Sequence, residues 1–134
     1  MEFIQKSTHI LSKTLGDTIE EYLFFRPTSR EKLDEAIDLW FENKDEAIEK
    51  YGIIGTWNIS LITDMSKLFY DREDFNEDIS DWDVSNVTNM SKMFNACYEF
   101  NQPLNNWDVR NVTDMDFMFR DCEKLTNLPH WYKQ

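Results

Sequence analysis

The sequence predicts an α+β repeat fold, a short solenoid of about three 25-residue units behind an N-terminal helical cap. Tryptophans recur at a constant spacing of 25 residues, and Met and Phe residues recur at the same spacing. Before the first of these tryptophans, apolar residues follow a helical pattern. We therefore expect helices first and then stacked units, each made of one short strand and one helical turn.

Six positions recur in register across the three units. They are occupied by Trp57, Trp82 and Trp107; Ile59, Val84 and Val109; Ile62, Val87 and Val112; Thr63, Thr88 and Thr113; Met65, Met90 and Met115; and Phe69, Phe94 and Phe119. A single unit is too small to bury its apolar side chains, so the Trp, Val, Met and Phe columns are predicted to form one continuous core. The chain after Leu125 is expected to form a partial capping rung, in which Leu128 precedes Trp131.

The order of residues within a unit suggests its local structure. Residues 79–84 alternate apolar and polar side chains around Trp82, which predicts a short strand. The Thr that follows is expected to cap a helical or 3₁₀ turn carrying the Met and Phe residues. These two patterns together predict that each unit consists of one strand followed by one turn.

Residues 1–52 are predicted to be the helical cap, and residues 53–134 the repeats. Thr28 and Glu31 match a capping box, which predicts the start of one helix. Asn43 is expected to cap a second helix that ends at Gly52. Further amphipathic helices are predicted upstream, around Gly16, and the alternative for residues 1–24 is a separate helix that docks a partner.

The repeated units L-x-x-W-D-V-S-x-V-T-x-M-x-x-M-F resemble the BspA-like leucine-rich repeats, the DUF285 family. The resemblance covers residues 53–134, and the stretch from Arg26 to Gly52 resembles the lead-in found before such arrays. It implies a leucine-rich-repeat-like solenoid used for binding. Relatives include bacterial surface adhesins and proteins of protists and large DNA viruses, and this chain resembles the intracellular or large-virus type.

The net charge of the chain limits the classes of partner that we expect it to bind. Asp and Glu number 26 against 14 Lys and Arg, giving a formal net charge of −12. Nucleic acids and anionic membranes bind clustered basic residues, so neither is an expected partner. The first 18 residues do not match a secretory signal, and two cysteines suit a reducing compartment, so we expect an intracellular protein.

Cysteines, histidines and acidic runs supply the candidate sites for chemistry. Cys97 and Cys122 lie 25 residues apart, within disulfide reach if the units stack, but two buried thiols are favoured. The acidic stretch 71–83 raises the question of calcium, yet it has no Gly to turn a binding loop, so solvated acids are favoured. His9 and His130 match no ligand spacing.

We therefore expect no enzyme activity, no metal site and no cofactor. Asn76 and Asn101 resemble ladder asparagines, whose amides bond the backbone of the adjacent turn.

The sequence predicts a non-catalytic protein–protein interaction module with an acidic solenoid surface. Its partner-binding residues are predicted to be Asn58, Ser60, Asp81, Asp83, Ser85, Asn106, Asp108 and Arg110, which lie between the core columns. We expect a protein partner with a basic surface, together with self-association through the open end of the solenoid. The alternatives are a component of a larger assembly such as a large-virus particle and, less favoured, a surface adhesion protein.

Overall fold

The computed structural model describes residues 24–133, so the helices predicted upstream of Phe24 lie outside it, as does His9. Two α-helices come first, α1 at Arg30–Glu42 and α2 at Lys44–Tyr51, followed by a 3₁₀ turn at Ile54–Thr56. Three 25-residue units then stack on one another up to the end of the described chain. None of the described helices is long and apolar enough to cross a membrane.

Helix α1 begins at Arg30, and its N-cap residue is Ser29 instead of the predicted Thr28. The Ser29 backbone is extended, and its hydroxyl accepts a hydrogen bond from the Lys32 N–H at 3.2 Å, which satisfies one of the free N–H groups of the first turn. The buried face of the helix follows the predicted spacing. It consists of Leu33, Ala36, Ile37 and Trp40.

Asn43 and Gly52 bound α2 as predicted. The Asn43 side chain accepts from the Glu46 N–H at 3.2 Å. Gly52 has φ +81°, in the left-handed region that glycine reaches at low cost, and its N–H donates to the Ile48 carbonyl at 2.8 Å.

The two helices pack against the first unit. The ring of Trp40 meets the ring of Trp57 edge-on at 6.0 Å between centroids. Three ion pairs tie the helices to the same unit. They are Asp38 with Arg72 at 2.7 Å, Lys44 with Glu77 at 2.6 Å, and Arg30 with Asp64 at 3.7 Å.

The predicted α+β fold, a leucine-rich-repeat-like solenoid of strand-plus-helix units, is wrong. Between residues 53 and 133 the structure has no strand and no α-helix, only isolated parallel bridges that join Asp64 to Asn89 and Asn89 to Asp114. The predicted strand 79–84 is interrupted because the Trp82 N–H turns back to the Ile79 carbonyl at 3.1 Å. The predicted Thr caps are also wrong, since the Thr88 hydroxyl donates to the Thr63 carbonyl of the preceding unit.

A different hydrogen-bond pattern replaces strands and helices. Alternate N–H groups of one unit donate to carbonyl oxygens of the next, and the N–H groups between them close turns of four residues. The donors to the next unit are Met65, Lys67, Phe69 and Asp71 in the first unit, and Met90, Lys92, Phe94 and Ala96 in the second, all at 2.8–2.9 Å. Because consecutive N–H groups divide between these two uses, neither a strand ladder nor an α-helix can form.

The turns require left-handed backbone at two positions of every unit. Positive φ values of 56–64° occur at Lys67, Lys92 and Phe117, and at Asp71, Ala96 and Asp121. None of these residues is glycine, so each unit carries a conformational cost that stacking must offset.

The predicted core columns are confirmed in the first two units. The Phe rings form a parallel stack, with Phe94 5.6 Å from Phe69 and 5.5 Å from Phe119. The indoles of Trp82 and Trp107 donate to carbonyls of the preceding unit, Ile54 at 2.8 Å and Ile79 at 3.1 Å, and that of Trp57 donates to Gly52 at the end of α2. In the third unit, Val109, Val112 and Met115 are only half-buried, whereas their second-unit equivalents are fully buried.

Candidate functional site

The residues predicted to bind a partner lie in three short columns on the surface of the stack. One column holds Asn58, Asp83 and Asp108, the next holds Ser60, Ser85 and Arg110, and the third holds Asp81 and Asn106. All eight are exposed or half-buried. Their accessibility is therefore as predicted, while their availability to a partner depends on their hydrogen bonds.

The first two columns are engaged in local turns. The side-chain oxygen of Asn58 accepts from the Ser60 N–H, and that of Asp83 accepts from the N–H and hydroxyl of Ser85 at 3.0 and 2.6 Å. Asp108 accepts from the backbone and guanidinium of Arg110, and the guanidinium bond contributes most to lowering the pKa of this carboxyl. The hydrogen bonds from these donors offset the electrostatic repulsion between Asp83 and Asp108, which lie in the same column.

The second column also joins neighbouring units through its backbone. The Asn86 amide donates to the Ser60 carbonyl at 2.8 Å, and the Asn111 amide donates to the Ser85 carbonyl at 2.7 Å. Asp81 and Asn106 are exposed, and their side chains make no hydrogen bond within residues 24–133. Six of the eight predicted residues thus make hydrogen bonds in local turns or between units, while the side chains of Asp81 and Asn106 make none within residues 24–133.

A second acidic surface escaped the sequence analysis. Tyr98 lies in the second unit, and the carboxylates whose charges act on its phenol belong to the first and third units: Asp71, Glu73, Asp121 and Glu123. Partial desolvation and then these four carboxylates raise the pKa of its phenol. We call Tyr98 and these four residues the Tyr98 cluster.

The Tyr98 cluster follows directly from stacking. The Glu99 N–H donates to the Glu73 carbonyl, and the Lys124 N–H donates to the Tyr98 carbonyl, both at 3.1 Å. Glu73, Tyr98 and Glu123 are 25 residues apart, so the repeat places them in one column. That spacing was the signal available in the sequence.

The asparagine ladder is confirmed. The side-chain oxygen of Asn76 accepts from the Asn101 N–H at 2.8 Å, and that of Asn101 accepts from the Thr126 N–H at 3.4 Å. Each amide thus satisfies a backbone donor one unit further along the chain. Asn76 and Asn101 are structural residues.

The two cysteines are free thiols, as favoured from the sequence. The Cys97 thiol donates to the Phe69 carbonyl and the Cys122 thiol to the Phe94 carbonyl, each at 3.0 Å. Burial is the main cause that raises both pKa values, that of Cys122 to about 11. Both thiols are therefore protonated at neutral pH and unsuited to nucleophilic chemistry.

Other candidate chemistry is sparse in the described part of the chain. Residues 24–133 contain no group of three or more His, Cys, Asp and Glu side chains arranged to hold a metal ion. His130 has a structural contact instead, since its N–H donates to the side-chain oxygen of Asn105 at 2.9 Å. Its ring Nδ1 lies 3.0 Å from the same oxygen.

Comparison with known proteins assigns the chain to a family. No curated protein and no solved structure matches the chain. The family described as "Mycoplasma protein of unknown function, DUF285" matches residues 35–134, which include most of α1, all of α2 and the three units. The chain therefore belongs to the DUF285 family.

Proposed function

We propose that the protein is a non-catalytic protein-binding module whose partner presents Lys and Arg side chains. The single observation that carries this proposal is the Tyr98 cluster, in which a half-buried tyrosine shares a repeat column with Glu73 and Glu123 and is acted on by four carboxylates of the flanking units. Tyrosine is enriched in protein interfaces, and an acidic surround attracts a basic partner during diffusional encounter. The net charge of −12 acts in the same direction over longer distances.

The division of labour among the side chains supports the proposal. Residues that recur from unit to unit fill the core or carry the bonds between units, as the Phe column and the asparagine ladder do. Several positions that vary between units are exposed, such as that of Asp81 and Asn106, and Tyr98 itself stands where the flanking units have Glu73 and Glu123. A surface built from variable residues can be adapted to a particular partner without cost to the fold.

Charge reversal tests the proposal. The chain would first be used to capture partners from its source, and the affinity of each purified partner would then be measured for wild type and for a Glu73→Lys/Glu123→Lys variant. We expect the variant to bind at least about tenfold more weakly, with the loss shrinking at high salt.

A matched control is available on the helices. The Glu42→Lys/Glu49→Lys variant makes the same change in net charge at exposed positions of α1 and the α2 end. We expect it to bind as wild type does. Equal affinity of all three proteins would refute an interface at the Tyr98 cluster, and capture at high, fixed stoichiometry would favour a structural subunit of a larger assembly.

The surface predicted from sequence has its own test. Because Asp83 and Asp108 hold turns, their reversal would disturb the fold as well as the charge. Asp81→Lys avoids this problem, since Asp81 is exposed and makes no side-chain hydrogen bond within residues 24–133. Loss of binding in this variant alone would move the interface to the predicted column.

A further inference from the structure

The third unit presents a row of unused backbone donors. Its N–H groups at Met115, Phe117, Phe119 and Asp121 occupy the positions from which the second unit donates to the third. Within residues 24–133 none of the four N–H groups makes a hydrogen bond. We call this row the donor edge.

A groove of about 830 Å³, lined by both apolar and charged side chains, runs along the donor edge. Its lining includes Val112, Met115, Phe117, Leu128 and Tyr132. Phe117 is 52% exposed and stands where the first two units have Lys67 and Lys92. The edge therefore combines regularly spaced donors with an exposed aromatic side chain that the inner units lack.

We propose that the donor edge binds an unpaired polypeptide segment of another protein. Carbonyl oxygens on alternate residues of that segment accept from the four N–H groups, as those of the second unit accept from the first. Its apolar side chains fill the groove and cover Val112 and Met115. The donor edge is a different surface from the Tyr98 cluster, so either interface can fail without the other.

The polarity of the ladder disfavours a second copy of the chain as occupant. Two donor edges brought together in a symmetric dimer would oppose N–H to N–H. In a head-to-tail pair the donor edge would have to reach the first unit, where Arg30 already occupies the carbonyls of Asp64 and Ser66. Helix α1 lies along that side of the first unit, where its Asp34 and Asp38 line a surface recess.

The test uses a peptide of known pairing geometry. It comprises residues 86–100 with Cys97→Ser, since this segment supplies the carbonyls that the first unit uses. It would be titrated into the full ¹⁵N-labelled chain, with amide exchange followed residue by residue. We expect saturable binding and at least about tenfold slower exchange at Met115, Phe117 and Phe119.

The alternation of protection distinguishes backbone pairing from other binding. The N–H groups of Met118 and Arg120 already donate within turns, so their exchange should stay the same. Protection of these residues instead, or shifts confined to another surface, would overturn the proposal. So would free-chain exchange at Met115 as slow as at Met90, or protection that grows with protein concentration when no peptide is present.

A matched set of peptides tests the conformation. Lys92 and Ala96 have φ of 56° and 64° in the paired segment, a region that D-residues favour. D-Lysine and D-alanine at these two positions should tighten binding about tenfold, whereas a D-residue at Met93 should weaken it. Equal affinity of all three peptides would contradict pairing of this kind.

A protein variant separates the groove from the ladder. Phe117→Lys restores the residue type of the first two units and keeps the backbone N–H. We expect it to weaken peptide binding severalfold while the alternating protection persists. Unchanged affinity would overturn the contribution assigned to the groove.

Discussion

The guanidinium of Arg30 donates to the carbonyl oxygen of Ser66 at 2.8 Å, and so takes the place of a backbone N–H. In the second unit, the equivalent carbonyl of Ser91 accepts from the Lys67 N–H at 2.9 Å. Arg30 also donates to the Asp64 carbonyl at 3.0 Å, again where an inner unit receives a backbone donor. One side chain thus satisfies two carbonyls that a preceding unit would otherwise cover.

Replacement of Arg30 should therefore loosen the helical cap from the stack. Arg30→Ala leaves both carbonyls without their donor, and we expect a loss of about 1–2 kcal/mol in the free energy of unfolding, discounted for partial exposure. Denaturant titration followed by circular dichroism measures the change. Lys32→Ala, an exposed substitution on the same helix, should change stability by less than about 0.5 kcal/mol, and equal effects would contradict this role of Arg30.

Glycine at a position with left-handed backbone should stabilise the stack. Ala96 has φ +64°, so Ala96→Gly removes a cost of about 1–2 kcal/mol and adds a smaller entropic cost in the unfolded chain. We expect a net gain of about 0.5 kcal/mol, measured as a higher denaturation midpoint. Ala47→Gly within α2 should instead destabilise by at least about 1 kcal/mol, and a loss in both variants would contradict the backbone argument.

Stability should fall in acid through carboxylates that hold turns. The Ser80 hydroxyl donates to Asp78 at 2.6 Å and is the main cause that lowers the pKa of this carboxyl below 3.8. Because the folded pKa is the lower one, the contribution is complete above the ordinary pKa. It disappears as pH falls through the folded value.

Titration by NMR checks this assignment. Ser80→Ala should raise the pKa of Asp78 toward 3.8, whereas Ser80→Thr keeps a hydroxyl and should leave it lowered. An unchanged pKa in the Ala variant would show that the hydroxyl is not the main cause.

The cysteines should resist alkylation while the chain is folded. With a pKa of about 11, Cys122 holds far less thiolate at neutral pH than an exposed cysteine does. We expect its reaction with iodoacetamide to be roughly a hundredfold slower in the native protein than in urea, with Cys97 slower still. Mass spectrometry of timed samples measures both rates, and rapid native labelling of either thiol would contradict their burial.

The core was predictable because its side chains recur at a fixed spacing, and stacked units must bury such columns. Trp82, Val84 and Phe94 are buried for this reason. The backbone was not predictable in the same way. The spacing of four residues between Met90 and Phe94 fits an α-helix and also a series of turns. The two structures differ in whether alternate N–H groups donate within the unit or to the next unit.

The candidate surface was predicted in part. The sequence identified Asp83 and Asp108 as exposed acids, but their turn bonds depend on the backbone course, which spacing alone does not specify. The Tyr98 cluster was within reach, because Glu73, Tyr98 and Glu123 share one repeat position. The column is not evident as a repeat position because Tyr98 differs from the Glu of the flanking units.

The alternate N–H groups between Met65 and Ala96 all donate in the same direction along the array. In this ladder the second unit receives hydrogen bonds from the first and donates to the third, while Arg30 donates to two carbonyls of the first unit. Duplication or loss of a whole inner unit, such as residues 82–106, would therefore preserve the pattern of backbone hydrogen bonds at both flanking junctions. An array of this kind can change length in whole units of 25 residues without a change in that pattern.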